Sequence, residues 1–222
     1  MSKTPASKAR RPAQRADGET EQRILEAARR VFIRRGTAGA RMQEIAAEAG
    51  VNQALLHYYF RSKDRLSGAV FIQLASRLFP TLARILGGEL PLEAKIDALV
   101  ATYLDTFTQH PFLPGYLLSE MHHNPERVAK LLATATGGDP HQLLVPVFAT
   151  LAKQIKQQVR AKRMRPIPPQ QFVVNLISLC IFPFAARPML SLVLGLDDAR
   201  FAALIEERKT HLPEFFRNAL RP

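Results

Sequence analysis

The chain has 222 residues, with 31 Lys or Arg against 19 Asp or Glu, a net charge of +12 and a pI near 10.4. That length suffices for one large core or two modest ones, and the basicity favours an anionic partner, nucleic acid or a membrane surface. A single cysteine, Cys180, excludes an intramolecular disulfide and fits a reducing cytoplasm; as a residue it reads as a small buried hydrophobe.

Residues 1–18, MSKTPASKARRPAQRADG, carry five cations and no hydrophobic periodicity. They bury too little apolar surface to order themselves and are expected to form a basic arm rather than a secretion signal. The charge is unevenly placed: residues 1–67 hold 14 Lys or Arg against 7 Asp or Glu, and the remaining 155 hold 17 against 12. From Thr20 the pattern becomes helical, with Ile24, Leu25, Ala28, Val31 and Phe32 on one stripe and Gly36 as its end. In Ala40–Lys63, Ile45, Ala49, Val51, Leu56 and Tyr59 are spaced to seal two short helices together. Gly50 falls where the chain turns, and Asn52 is a natural N-cap for the second helix. This spacing predicts a helix-turn-helix, whose second helix enters the DNA major groove. Its free face should present Gln53, Ala54, His57 and Tyr58, with Asn52 at its start. Arg41 and Gln43 open the helix before it.

Arg61-Ser62-Lys63-Asp64 reads as a turn and a fresh cap that opens a fourth, long helix running to about Leu86, stopped by Gly87-Gly88. Beyond Pro91 the composition shifts to large apolar residues with aromatics. Helices are expected at Leu92–Gln109, Gly115–His122, Pro125–Ala135, His141–Lys162, Pro169–Leu194 and Asp198–Leu220, separated by Pro and Gly breakers. No period-two run and no repeat is present, so the class is all-α with nine or ten helices. Phe172–Ala186 is too short and too interrupted to span a membrane and reads as a buried helix kinked at Pro183. Tyr103, Phe107, Phe112, Tyr116 and Phe182, with His122 and Asn175 as isolated polar groups, could line a small-molecule pocket. The basic run Lys153, Lys156, Arg160, Lys162, Arg163 and Arg165 reads first as solvated charge at a helix end, with a second anionic site as the alternative. Glu120 and His123 have helical metal-ligand spacing but no second ligand-bearing segment, and no nucleophile, phosphate loop or cofactor motif is found. Catalysis is not expected.

The residues GVNQALLHYYFRSKDRL resemble the GVSxGTLYxYFxSKExL signature of the TetR family of bacterial regulators, and TEQRILEAARRVFIRRG resembles that family's first helix, TRxRILxAAxxLFxxxG. The match covers Thr20 to Val70. Leu55 replaces the usual Thr or Ser, His57 the usual Tyr, and Arg41 stands near a usual Thr or Ser. The resemblance implies a three-helix DNA-binding domain (19–66) after the arm (1–18), joined by a long helix to a helical effector-binding and dimerisation domain (67–222). It also implies a cytoplasmic homodimer on palindromic double-stranded operator DNA, with no membrane partner and no cofactor, released by a small molecule. Lys63 matches the family's phosphate-contacting Lys, and His141–Lys162 with Pro169–Leu194 match the helices through which such proteins dimerise. A constitutive DNA-binding dimer is the alternative.

Overall fold

The computed structural model describes residues 12–222, with side-chain surroundings from Asp17 onward. The basic segment 1–11 lies outside the described residues. Eleven helices and no strand occur among those described, and the chain divides into two compact units between Val70 and Phe71.

The first unit is built on α1 (Pro12–Gly39), α2 (Met42–Ala49) and α3 (Gln53–Phe60). The first helix begins eight residues earlier than the apolar pattern does, within the stretch expected to lack structure. One reason is visible: the Tyr59 hydroxyl of α3 donates to Asp17 Oδ1 at 2.6 Å, fixing α1's early turns to the rest of the unit. The helical run of α1 is interrupted at Gly36, whose φ of 66° and ψ of 169° leave the helical region. Ile24, Ala28, Val31, Phe32, Ile45 and Leu56 close the core of this unit.

The helix α4 (Lys63–Gly87) begins in the first unit and continues into the second. By length and composition alone it could cross a membrane. Its surface pattern is that of an amphipathic core helix, since Leu66, Val70, Phe71, Leu74, Leu82 and Ile85 are buried while Arg65, Arg77 and Arg84 are exposed. It ends at Gly87-Gly88, where only glycine fits: a Cβ on Gly88 would lie 2.7 Å from the Arg84 carbonyl oxygen. The second unit continues with α5 (Leu92–Gln109), α6 (Phe112–His123), α7 (Pro125–Thr136), α8 (Pro140–Arg160), α9 (Pro169–Ala185), α10 (Arg187–Leu194) and α11 (Asp198–Ala219). Its centre is α5, which packs against α9 and α11 and also meets α6 and α8.

One expectation is corrected here. The helix foreseen over Pro169–Leu194 with a kink at Pro183 is two helices meeting at 71°. The helix continues through the buried Pro183, and the break falls at Ala186. Pro188 suits the first turn of a helix, where its missing N–H costs nothing, so it opens α10 rather than ending α9. Arg187 holds the corner, pairing with Asp198 at 2.9 Å and lying 4.5 Å from the centre of the Phe201 ring.

Candidate nucleic-acid interface

The turn between α2 and α3 is closed by backbone chemistry. Gly50 takes a left-handed conformation at φ 65° and ψ 34°, which a residue with a Cβ adopts at a cost. Val51 N–H then donates to the Ala46 carbonyl at 3.0 Å, a helix-ending pattern. Asn52 Oδ1 accepts the Leu55 N–H at 2.7 Å and starts α3. Ile45, Ala46, Leu56 and Phe60 seal the pair, while Ala49, Val51 and Tyr59 of the expected seal are half-buried.

What α3 turns outward is a continuous strip. Asn52, Gln53, Ala54, His57 and Tyr58 are all exposed, Tyr58 at 74%. The His57 ring is oriented by a 3.2 Å contact between Nδ1 and the Arg61 carbonyl. A carbonyl can only accept, so Nδ1 carries the proton in this contact. Arg61 itself caps α3 with φ at 35°, an uncommon conformation outside glycine, and its side chain is exposed beside the strip. Sequence reasoning read Arg61 only as part of a turn. Arg41 and Gln43 are exposed at the start of α2.

Lys63, which the resemblance assigns to phosphate, has partners within the protein. Its ammonium donates to the carbonyls of Ala38, at 2.7 Å, and Ala40, at 3.2 Å, tying the start of α4 to the α1–α2 connection. Two of its three N–H groups are therefore committed within the protein. Three cations of α1 are similarly engaged. Arg30 and Arg34 meet Glu48 at 2.6 and 2.7 Å, and Arg35 lies 3.7 Å from Glu44. The hydrogen bond from Arg30, then that from Arg34, hold the Glu48 carboxyl below its usual range.

The residues expected to line an effector pocket do not form one group. Tyr103 and Phe107 of α5 and Tyr116 of α6 are buried, with Phe107 5.7 Å from Tyr103 and 5.5 Å from Phe184 between ring centres. Phe71 reaches Tyr116 at 6.0 Å. Phe112 is half-buried beside His110. His122, Asn175 and Phe182 are exposed, because they fall on the outer faces of α6 and α9. Cys180 lies fully buried in α9, and burial pushes its thiol up to about 12, which keeps it protonated and unreactive. Burial likewise raises the Tyr103 phenol. Glu120 pairs with Arg127 at 2.8 Å, and among the described residues no group of three or more His, Cys, Asp or Glu could hold a metal.

Comparison with known proteins agrees with this architecture. A model of bacterial regulatory proteins of the tetR family matches residues 24–70, and one described as a tetracyclin repressor-like C-terminal domain matches residues 89–216. The HTH-type transcriptional repressor NicS of Pseudomonas putida is 29% identical over 186 residues, which are 83% of this chain and 84% of that protein. The HTH-type transcriptional regulator RutR of Escherichia coli is 30% identical over 159 residues, covering 72% and 71%. The crystal structure of a TetR transcription regulator from Haloarcula marismortui aligns with a TM-score of 0.59 at 19% identity, over 91% of this chain and 98% of that one.

Proposed function

The chain belongs to the TetR family of bacterial regulatory proteins, and from that footing we propose a homodimeric repressor that binds a palindromic operator and leaves it when a small molecule binds. Its role as a DNA-binding transcriptional regulator follows from the family. The observation that carries the finer reading is the exposed strip of α3 on a closed three-helix unit. Side chains on it have base-edge chemistry: Gln53 suits a bidentate contact to adenine, Ala54 a thymine methyl, and the His57 ring a hydrogen bond to a base edge. Arg41 and Arg61, both exposed, are assigned to phosphates, as base contacts need backbone contacts to set their register.

Dimerisation is supported by apolar side chains left in the open on the second unit. Leu143 and Val145 of α8, Val174 and Phe182 of α9, and Leu192 of α10 are exposed, the last at 84%. Phe182 and Asn175, first considered for a pocket, belong to this face. The effector is assigned to the neighbourhood of Tyr103 and Phe107, whose rings lie 5.7 Å apart, and of Tyr116, whose ring meets Phe71; all three are buried inside the second unit. A constitutive dimer without an effector is the rival reading.

Selection of operator-like duplexes from a random pool, for wild type and Gln53→Ala, tests base reading. The substitution is expected to relax preference at one position of each half-site, costing about 1–3 kcal/mol there. An unchanged preference profile removes Gln53 from the reading face. A small molecule that raises the melting temperature of the protein and releases the selected duplex separates the repressor from its rival.

A further inference from the structure

A cleft of about 480 Å³ opens between the first turn of α5, the loop after α8 and the end of α11. That volume lies within the range of small-molecule sites. Its floor is apolar, made by the buried side chains of Leu92, Ile96, Met164 and Leu220. The Arg165 N–H donates to the Leu220 carbonyl at 2.9 Å, so the loop and the end of α11 form one wall.

The rim carries four exposed charges, Arg163 and Arg221 against Glu93 and Glu214. None of the four has an ion-pair or hydrogen-bond partner for its side chain within the described protein. Arg217, the other guanidinium in the cleft, is already bound to Asp97. Two free cations and two free anions thus surround one apolar floor. A simple organic anion entering there meets two carboxylates, and a simple amine meets two guanidinium groups. A molecule bearing both charges satisfies both sets, its carboxylate taking the paired N–H donors that suit a guanidinium. Gln158 adds a further demand. Its Oε1 is buried without any hydrogen-bond partner, a costly state for an amide oxygen. The terminal torsion of a glutamine is soft, so rotation can present that oxygen to an ammonium in the cleft.

We propose that this cleft binds a small zwitterion with an apolar side chain, the chemistry of a branched or aromatic α-amino acid. The site shares no residue with the aromatic group of Tyr103, Phe107 and Tyr116 and none with the reading face of α3. It therefore stands or falls separately from the effector and operator readings.

Isothermal titration of the full chain with L-leucine and L-phenylalanine tests it, with 4-methylpentanoate and 3-methylbutylamine as single-charge analogues. Saturable one-site binding of at least one amino acid is expected, with each analogue weaker by about tenfold or more, the worth of one charged hydrogen bond. Arg163→Gln and Glu93→Gln should each weaken binding by a similar factor. Lys153→Gln, an exposed cation of α8 outside the cleft, should leave it unchanged. Both cleft residues are solvent-exposed, and the melting temperature of each unliganded variant checks that it folds. Absence of binding by either amino acid, equal binding of an analogue, or insensitivity to Arg163→Gln and Glu93→Gln overturns the proposal.

Discussion

Two basic residues at helix starts differ in their surroundings. Arg41 is exposed at the start of α2 and has no side-chain cap bond, whereas the Lys63 ammonium is half-buried and holds two carbonyls of the α1–α2 connection. Removing Lys63 leaves the Ala38 and Ala40 carbonyls without those donors and loosens the unit that carries the reading face. Lys63→Ala is therefore expected to lower the melting temperature, and Arg41→Ala is not. In salt titrations of DNA binding, Arg41→Ala should flatten the slope of log affinity against log salt by roughly one unit, with an equal loss on all sequences. An unchanged slope for Arg41→Ala removes it from the phosphate contacts, and an unchanged melting temperature for Lys63→Ala shows the clasp to be dispensable. The reading strip itself was legible in the sequence because Gln53, Ala54, His57 and Tyr58 recur at helical spacing opposite Leu56 and Phe60. The Lys63 clasp was not, because its partners lie 25 and 23 residues away. Nothing local marks them.

At the scale of elements, glycines and prolines placed most helix boundaries, since each acts on its own backbone. They failed at α9–α10, where Pro183 stays inside α9 and Pro188 opens α10, so the break falls at Ala186 between the two prolines. They were also silent about how α4 and α5 are joined. Lys95 of α5 is fully buried, and its ammonium donates to the Leu86 carbonyl, one of the acceptors left open at the end of α4. Burial lowers its pKa from 10.5. Between that lowered value and 10.5 the unfolded chain binds more protons at this residue than the folded one, so this residue's contribution to stability rises with pH across the window. Lys95→Met keeps the bulk, removes the donor and abolishes this pH dependence. We expect it to cost about 1–3 kcal/mol at neutral pH, the penalty of a buried carbonyl left without its partner. Denaturant melts of wild type and variant from pH 7 to 10.5 check both points. A difference between them that stays constant with pH shows that Lys95 does not titrate in that window, and a variant as stable as wild type makes the bond to Leu86 unimportant.

For the whole molecule, the apolar face of the second unit bears on how an operator is held. On α9, Val174, Ser178 and Phe182 follow one another at four-residue steps and are all exposed, giving a ridge with a small residue at its centre where another helix can approach closely. Beside it an open groove of about 520 Å³ runs along α8, floored by Leu144, Val145, Phe148 and Ala149. A stable dimer buries roughly 1,200–2,000 Å² in total, and helix pairs from two copies supply such an area when ridge meets groove. In the proposed dimer, two reading helices would engage two half-sites about 34 Å apart, and the second contact would become intramolecular. Phe182→Glu places a charge on the ridge at a side chain that is 53% exposed, so the fold of the single chain should survive. It is expected to sediment as a monomer where wild type sediments as a dimer, and its affinity for the palindrome should fall by roughly 10²-fold or more, to that of one half-site. Affinity for an isolated half-site should be unchanged, because α3 and its strip are untouched. A variant that still sediments as a dimer moves the interface off α9. A monomer that holds the palindrome as tightly as wild type shows that two joined reading heads are not what gives the affinity.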